Sequence, residues 1–253
     1  MADLPAVIAE VASGVANIVL EANRERLGSG SAFLVDGGLV TADHVVTANY
    51  DTARIRFDGD DPGAGIKLTR ADLQSRIRYR SPENELDLAI LSLDEPEFEG
   101  RHRFELEGTV PPSGTQVVVM GYPYETPHLS SHVGYVSATY KRLGTQVLQL
   151  DASVNPSNSG GCVIDPETLS VVAYVTRAQT GLTADFNDLL RAFEQNIVEL
   201  SKSRASISIG GIDPVEGLKV TMAAMQRLGV NLRRSANVGI GYAFGAQHIL
   251  ENS

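Results

Sequence analysis

Three short segments of the chain each contain one residue type that serves nucleophilic catalysis. His44 follows an apolar run, Asp87 opens another apolar stretch, and Ser159 precedes Gly160-Gly161 in a turn-forming segment. A serine hydroxyl is a poor nucleophile near neutral pH unless a base removes its proton, and histidine, with an ordinary pKa of about 6.5, suits that role. A carboxylate beside the histidine fixes the tautomer of the ring and stabilises its protonated form. The three residue types therefore indicate hydrolysis by a serine nucleophile, provided that the fold brings them together.

Each segment alone also has a plain structural interpretation. A serine before two glycines is typical of a turn, a histidine after a strand is typical of a packed core, and an aspartate before an apolar run is typical of a strand start. The combination favours catalysis, because all three residues lie at strand ends or turns and follow each other as histidine, aspartate and serine. We therefore predict a catalytic triad of His44, Asp87 and Ser159.

Several segments resemble the trypsin-like serine proteases of chymotrypsin fold, and the HtrA (Deg) branch in particular. The segments that carry the resemblance are 28–35, 41–46, 87–91, 121–123, 134–137, 150–161 and 239–244. The resemblance implies a mainly β protein with two six-stranded antiparallel β-barrels. It also implies that Ser159 is the nucleophile, that His44 is the general base and acid, and that Asp87 orients the histidine.

The segment around Ser159 departs from the family at two positions. The family has glycine two residues before the nucleophile, where this chain has Ser157, and proline after the two glycines, where it has Cys162. In the family, the N–H groups at the positions of Ser157 and Ser159 form the oxyanion hole, which stabilises the negative charge of the intermediate. Glycine adopts backbone angles that cost other residues about 1–2 kcal/mol. The Ser157 amide is therefore either turned away in the resting protein or held in a preformed hole, and the sequence leaves both open. For Cys162 we expect a buried structural thiol, with a reactive thiol as the alternative.

The resemblance also suggests residues that bind the substrate. The base of the family's specificity pocket corresponds to Ser153, which is not an acid that would select arginine or lysine, so we expect cleavage after small or medium apolar residues. Ala173, Tyr174 and Val175 resemble the strand that pairs with the substrate backbone by strand addition.

The composition narrows the functional classes. The net charge of −10 disfavours a broad nucleic-acid surface, which would be basic. One cysteine excludes an intrachain disulfide and favours a reducing compartment, so we expect a cytoplasmic protein. We find no cofactor signature, and we interpret His128 and His132 as exposed loop histidines rather than metal ligands.

The N-terminus lacks the pattern of a secretory signal. Asp3 precedes any basic residue, while Glu10 and Asn17 interrupt the apolar run. No stretch approaches the roughly 18 apolar residues of a membrane span, so no membrane association is expected.

The chain is organised as short apolar or alternating runs between Gly- and Pro-rich turns, which is typical of barrels or sandwiches. We predict an N-terminal helix and lead-in over 1–26, with the helix at 4–22, a first β-barrel over 27–95, and a second β-barrel over 112–177 and 237–253. The predicted strands are 31–35, 38–42, 53–57, 75–79, 88–93, 116–120, 133–139, 146–150, 162–164, 170–176 and 237–243.

Residues 178–236 form a predicted helical insertion where the family has a loop. The first helix has its apolar residues on one face, and the second opens with Asp213 as N-cap and Pro214 at its first position and is expected to end at Gly229. The apolar residues of the two helices are Phe186, Leu189, Leu190, Phe193, Ile197 and Leu200 in the first, and Leu218, Met222, Met225 and Leu228 in the second. The insertion either packs on the second barrel or serves as a regulatory surface that docks a partner.

We therefore predict a serine endopeptidase that acts on protein or peptide substrates through an acyl-enzyme, with narrow specificity or conditional activation by a protein partner. The alternative is a catalytically silent protease-fold binding module that uses the helical insertion for docking. Esterase-type hydrolysis by the same triad is also compatible with the residues. The HtrA branch normally carries a C-terminal PDZ domain, and we expect none in this chain.

Overall fold

The computed structural model describes residues 2–61, 63–92, 98–142, 144–180, 184–202, 213–235 and 237–253. The helices over these residues are α1 Leu4–Val11, α2 Asp43–Thr47, α3 Arg70–Ser75, α4 Ala184–Lys202, α5 Pro214–Ser235 and α6 Gln247–Leu250. The strands are β1 Val15–Ala22, β2 Glu25–Val35, β3 Gly38–Thr41, β4 Thr52–Phe57, β5 Ile66–Thr69, β6 Ile77–Ser81, β7 Leu88–Leu91, β8 Gln116–Gly121, β9 Ser130–Arg142, β10 Thr145–Asp151, β11 Cys162–Ile164, β12 Val171–Thr180 and β13 Asn237–Gly245.

The first seven strands form one sheet in the order β5-β4-β1-β2-β3-β7-β6. Neighbouring strands in it run antiparallel, and β1 lies between β2 and β4. This sheet differs from the six-stranded first barrel that we expected, because β1 and β5 were not foreseen as strands.

The N-terminal helix is shorter than the sequence suggested. It ends at Val11, and the residues from Val15 onward form β1 instead of continuing the predicted helix to residue 22. Gly14 marks the change, because a Cβ at this position would lie 2.5 Å from the carbonyl oxygen of His102. Val15 and Ile18 are fully buried in β1, and β-branched side chains of this kind favour a strand with partners on both sides.

The remaining six strands close into a barrel in the order β10-β13-β12-β11-β8-β9, which confirms the expected second barrel. A hydrophobic cluster joins this barrel to the first sheet. It combines Phe33, Val40 and Ile90 from the sheet with Met120 and Ile164 from the barrel, all fully buried. Burial of this shared apolar surface fixes the two β bodies against each other, so that residues from both can form one site.

The segment that crosses between the two β bodies pairs with each in turn. The Phe104 N–H donates to the Leu34 carbonyl oxygen at 2.8 Å, and the Glu107 N–H donates to the Val171 carbonyl oxygen at 2.9 Å. This segment lies between the first barrel, predicted over 27–95, and the second, predicted from residue 112, and residues 93–97 lie outside the described part of the chain.

The chain divides into two compact units, of which the second comprises Thr180–Val238 and contains α4 and α5. Asp213 caps α5 as expected, because its Oδ1 accepts the Val215 N–H at 2.9 Å. Gly229 does not end this helix, as the sequence suggested, but lies inside it and packs against α4. A Cβ at Gly229 would lie 2.4 Å from Leu190 Cδ2, so glycine allows the two helices to approach closely. None of the described helices is long and apolar enough to cross a membrane.

Candidate active site

The carboxylate of Asp87 holds His44 through both its backbone and its ring. Asp87 lies in the loop before β7, and His44 lies in α2, which follows β3. Asp87 Oδ1 accepts the His44 backbone N–H at 3.1 Å, and His44 Nδ1 lies 3.0 Å from Oδ1 and 2.9 Å from Oδ2. A carboxylate accepts hydrogen bonds and does not donate them when ionised, so the proton belongs on Nδ1 and Nε2 remains an acceptor.

The backbone of Asp87 is fixed in an uncommon conformation. Its φ is +48°, in the left-handed region that aspartate adopts more readily than most residues. The Asp87 N–H donates to the Pro82 carbonyl oxygen at 3.0 Å, and the Tyr174 hydroxyl donates to the neighbouring Leu86 carbonyl oxygen at 2.8 Å. Asp87 is 1% exposed, and burial, together with the charge of Asp87, raises the pKa of Tyr174. The buried tyrosine therefore stays protonated and supports the turn that presents the carboxylate.

The surroundings of His44 favour its protonated form. Burial alone would lower the pKa of the imidazole, but the hydrogen bond and charge of Asp87 outweigh it, with smaller contributions from Glu83 and Asp43. The net result is a pKa above the ordinary value of 6.5. Arg80 limits the effect of Asp43, since its Nε lies 2.9 Å from Asp43 Oδ1. A base with a raised pKa accepts a proton from a hydroxyl more readily.

The turn that carries Ser159 lies directly against the strands before His44. The Ser159 carbonyl oxygen accepts the Ser31 N–H of β2 at 2.9 Å, and the Gly160 N–H donates to the Val175 carbonyl oxygen at 2.8 Å. A Cβ at Gly160 would lie 2.3 Å from the Ser31 carbonyl oxygen and 2.7 Å from the amide nitrogen of Ala42. Only glycine fits this contact, which brings the proposed nucleophile to the segment that leads into His44.

The Ser159 hydroxyl does not bond to the histidine in this structure. It donates to the Thr176 carbonyl oxygen at 3.3 Å, and no hydrogen bond between its Oγ and His44 is present within the described part of the chain. Hydrogen bonds between catalytic groups are often long or absent before substrate binds. The expected partners are therefore neighbours in the fold, with the serine in a rotamer that points to Thr176.

Two backbone N–H groups near Ser159 are available for an oxyanion. Among the described residues, neither the Ser157 N–H nor the Ser159 N–H donates to a protein acceptor, whereas the Asn158 N–H donates to the Asn155 carbonyl oxygen at 3.1 Å. The Tyr124 N–H donates to the Pro156 carbonyl oxygen at 2.8 Å. Since the N–H and C=O of a trans peptide point in opposite directions, this bond turns the Ser157 N–H away from Tyr124. The Ser157 N–H is thus held on the side of its peptide opposite Tyr124, and a preformed hole stays a prediction.

The backbone of Ser157 is nevertheless unusual for a serine. Its φ is +74°, the left-handed region that glycine adopts freely. The family's glycine suits this position because glycine adopts the left-handed region without strain. Ser157 adopts the same region at a conformational cost of about 1–2 kcal/mol.

Ala173, Tyr174 and Val175, predicted to pair with the substrate backbone, lie in β12. All three are fully buried in β12, and Ala173 and Tyr174 pair with Val163 and Cys162 of β11. Both backbone groups of Val175 bond to the nucleophile turn, at Gly160 and Gly161. The residue of β12 that faces the Ser159 hydroxyl is Thr176, and the role of Ala173, Tyr174 and Val175 in binding substrate stays a prediction.

Ser153, assigned to the base of the specificity pocket, is exposed. Its neighbour Val154 is 2% exposed, and a Cβ at Gly241 of β13 would lie 2.3 Å from Val154 Cγ2. The side chain that fills the space beside β13 is therefore Val154, and the role of Ser153 stays a prediction.

The remaining candidate residues are Cys162, His128 and His132. Cys162 is completely buried and unpaired, and burial raises its pKa to about 12, which confirms the structural interpretation of this thiol. His128 is exposed, but His132 lies half-buried on β9, and burial lowers its pKa. The described residues contain no cluster of three or more metal-ligating side chains.

Sequence reasoning missed Ser31 and Tyr124, which hold the turn on either side of Ser157. Ser31 lies within the segment 28–35 that carries the family resemblance, but only the three-dimensional arrangement shows the contacts that Ser31 and Tyr124 make.

Residues 28–173 match the family model described as a trypsin-like peptidase domain. Protease Do-like 4, mitochondrial, of Arabidopsis thaliana is 32% identical over 152 residues, which are 57% of this chain and 27% of that protein. Protease Do-like 2, chloroplastic, of the same plant is 30% identical over 167 residues, which are 62% of this chain and 25% of that protein. The chain thus spans about a quarter of the length of these curated relatives.

Solved structures show the same fold at low sequence identity. The HtrA-type protease AlgW with tripeptide aligns with a TM-score of 0.58 and 20% identity, over 97% of this chain and 60% of that chain. The serine endoprotease from Yersinia pestis aligns with a TM-score of 0.54 and 22% identity, over 71% of this chain and 59% of that chain. Because the family model matches more than half of the sequence, the chain belongs to the trypsin-like peptidases, among homologues of the HtrA/Do-like type.

Proposed function

We propose that the chain is a serine endopeptidase that cleaves protein or peptide substrates through an acyl-enzyme. The observation that carries the proposal is the buried Asp87 carboxylate, which holds His44 by its ring and its backbone beside the turn of Ser159. This arrangement supplies an oriented base, a nearby hydroxyl and two unused backbone donors, which are the parts that acyl transfer requires.

In the proposed reaction, the Ser159 hydroxyl leaves the Thr176 carbonyl oxygen and turns toward His44 Nε2. As Oγ attacks the carbonyl carbon of the substrate, Nε2 takes its proton, and Asp87 stabilises the resulting imidazolium. The substrate oxygen becomes negatively charged and accepts the N–H groups of Ser157 and Ser159. His44 then donates its proton to the leaving amine. A water molecule then attacks the ester carbonyl carbon while His44 takes one of its protons, and His44 returns that proton to Ser159 Oγ as the bond to the acyl group breaks.

Covalent labelling with a fluorophosphonate probe tests the proposal. The purified protein is expected to react at a single serine, and the Ser159→Ala variant is expected not to react. Ser137→Ala is a suitable control, because Ser137 is an exposed serine on β9 whose hydroxyl donates to the Gln149 carbonyl oxygen. Absence of labelling in the wild-type protein, or labelling that survives in Ser159→Ala, would overturn the proposal.

The second candidate is a protease-fold module that binds a partner without catalysis. Two observations favour it: the Ser159 hydroxyl bonds to Thr176 instead of His44, and α5 presents large apolar side chains to solvent. Leu218, Met225 and Leu228 are 45%, 49% and 59% exposed. Against it stands the Asp87–His44 pair, because a binding role does not need an oriented base. Conditional activation by a protein partner combines both ideas and is part of the proposal.

We also propose that the protein works in a reducing compartment such as the cytoplasm. The single cysteine is buried and unpaired, so the fold needs no oxidising environment. Fractionation of the source cells tests this, and recovery of the protein from an oxidising compartment alone would contradict it.

A further inference from the structure

Ser31 connects the first sheet to both ends of the Ser157–Ser159 segment. Its side chain is fully buried on β2. Its backbone N–H donates to the Ser159 carbonyl oxygen at 2.9 Å, and its hydroxyl donates to the Ser157 carbonyl oxygen at 2.8 Å. One residue thus holds the carbonyl groups of both residues whose N–H groups would bind an oxyanion.

The direction of the Ser31 hydroxyl is determined by its other partners. Its Oγ also accepts the Tyr122 N–H at 2.8 Å, and its backbone carbonyl oxygen accepts the Thr41 hydroxyl at 2.7 Å. A serine hydroxyl has a single proton. Oγ therefore accepts from Tyr122 and gives its one proton to the Ser157 carbonyl oxygen.

Ser157 needs such a partner more than a glycine would. At a φ of +74°, a serine is in a strained region that it leaves unless the surroundings hold it. Two bonds oppose this relaxation: Tyr124 holds the Pro156 carbonyl oxygen on one side, and Ser31 holds the Ser157 carbonyl oxygen on the other. Rotation of the peptide before Ser157 would carry its N–H out of the oxyanion site.

We propose that Ser31 is a positioning residue that keeps the Ser157 N–H directed at the oxyanion. It touches neither the substrate nor the reacting atoms. The inference rests on the proposed function, since it assigns to Ser157 a donor role in acyl transfer.

The test compares Ser31→Ala with Thr41→Val by the rate constant of fluorophosphonate labelling, per folded molecule. Ser31→Ala removes the buried hydroxyl that donates to the Ser157 carbonyl oxygen, and Thr41→Val removes the buried hydroxyl that donates to the Ser31 carbonyl oxygen. Only the first substitution frees the Ser157 carbonyl oxygen. Ser31→Ala is expected to label about 10- to 100-fold more slowly than wild type, since loss of one oxyanion donor costs up to roughly 1000-fold. Thr41→Val is expected to lose stability with a much smaller effect on this rate. Equal rate losses in both variants, or no loss in Ser31→Ala, would overturn the inference.

Two further measurements separate positioning from a general loss of structure. The midpoint of the labelling rate against pH is expected to stay at the wild-type value in Ser31→Ala, because the Asp87–His44 pair is untouched. The double variant Ser31→Ala/Ser157→Gly is expected to regain most of the lost rate, because glycine adopts a φ near +74° without the Ser31 bond. A shifted midpoint, or no rescue by glycine, would contradict the assignment.

A crystal structure of Ser31→Ala tests the inference without depending on activity. It is expected to show the peptide before Ser157 turned and Ser157 out of the left-handed region. An unchanged peptide would overturn the role of Ser31 even if the wild-type protein is labelled. Absence of wild-type labelling combined with a turned peptide would refute the proposed function and leave the structural role of Ser31 intact.

Discussion

At His44, two opposing effects set the charge of the proposed base. Burial favours the neutral ring, and the Asp87 carboxylate, with which it shares two contacts of 2.9 and 3.0 Å, favours the charged ring more strongly. The side chain of His44 is 38% exposed, whereas that of Asp87, which holds Nδ1, is 1% exposed. Partial exposure of the ring and restraint at Nδ1 are two properties that a base for an incoming substrate requires.

The raised pKa of His44 predicts the pH dependence of labelling. The ring accepts a proton only when neutral, so the fluorophosphonate rate should increase with pH through a midpoint above 6.5. The same shift makes His44 favour the folded state below pH 6.5, a contribution that is lost as the pH rises through its pKa in the folded protein. A labelling rate that is independent of pH between about 5 and 9 would show that His44 is not the base.

Asp87→Asn tests the orienting carboxylate. An amide of the same shape can donate to Nδ1 and so favours the wrong tautomer, and the rate should fall by about 10,000-fold. Without the negative charge, burial dominates the pKa of His44, so the midpoint of any residual activity should move downward. The measurement is the labelling rate across pH, with circular dichroism to establish that the variant is folded. Wild-type rates in this variant would exclude the proposed role of Asp87.

Among the elements, the turn of Ser159 is determined by its contacts with β2 and β3. Gly160 lies so close to Ser31 and Ala42 that no side chain fits, and its φ is +84°. This turn makes the proposed site a product of both β bodies, since the serine comes from the barrel and its neighbours come from the first sheet.

Gly160→Ala should therefore destabilise the protein by about 2 kcal/mol or more, from overpacking and backbone strain together, and should abolish labelling. Gly59→Ala is a matched control, because Gly59 has a φ of +82° but no atom within 4 Å of the position that a Cβ would occupy. Thermal unfolding measures the loss of stability in both variants. The loss in Gly59→Ala gives the cost of backbone strain, and the excess loss in Gly160→Ala gives the cost of overpacking. Equal destabilisation of both would show that the close contact at Gly160 contributes nothing.

The sequence predicted most strands of the barrel, because apolar residues that alternate along a segment between Gly- and Pro-rich turns indicate a strand with one buried face. It failed at β1, because no proline separates α1 from Val15–Ala22 and the partners β2 and β4 lie further along the chain. It also placed Gly229 at a helix end, although the close approach of α4 explains this glycine. The residues of the predicted triad carry chemical signatures, whereas Ser31 and Thr176 make contacts that no local pattern encodes.

The whole chain combines a β unit with a second, helical unit, and the β unit has hydrophobic clusters of its own. The described members of the three clusters lie in the unit of residues up to Gln179 and from Gly239 onward. β12 and β13 are neighbours in the closed barrel, and the Ala246 N–H donates to the Val172 carbonyl oxygen at 3.0 Å. The two strands that flank the second unit in the sequence are therefore paired with each other.

Replacement of residues 181–236 by a short Gly/Ser linker should thus leave the β unit folded. Circular dichroism should show loss of helix with retained strand signal, and fluorophosphonate labelling should persist. Unfolding of this variant would show that the barrel depends on the helical unit, and labelling that becomes much faster would indicate that the unit restrains the active site.

Cleavage of a library of peptides, followed by mass spectrometry of the products, tests the central claim most directly. The wild-type protein should cut internal peptide bonds, with small or medium apolar residues on the acyl side because Ser153 supplies no acid. The Ser159→Ala variant should cut none. Cleavage that is confined to bonds after arginine or lysine would contradict the predicted specificity. Absence of any cleavage by a wild-type protein that folds, while it still reacts with fluorophosphonate, would contradict the assignment as an endopeptidase.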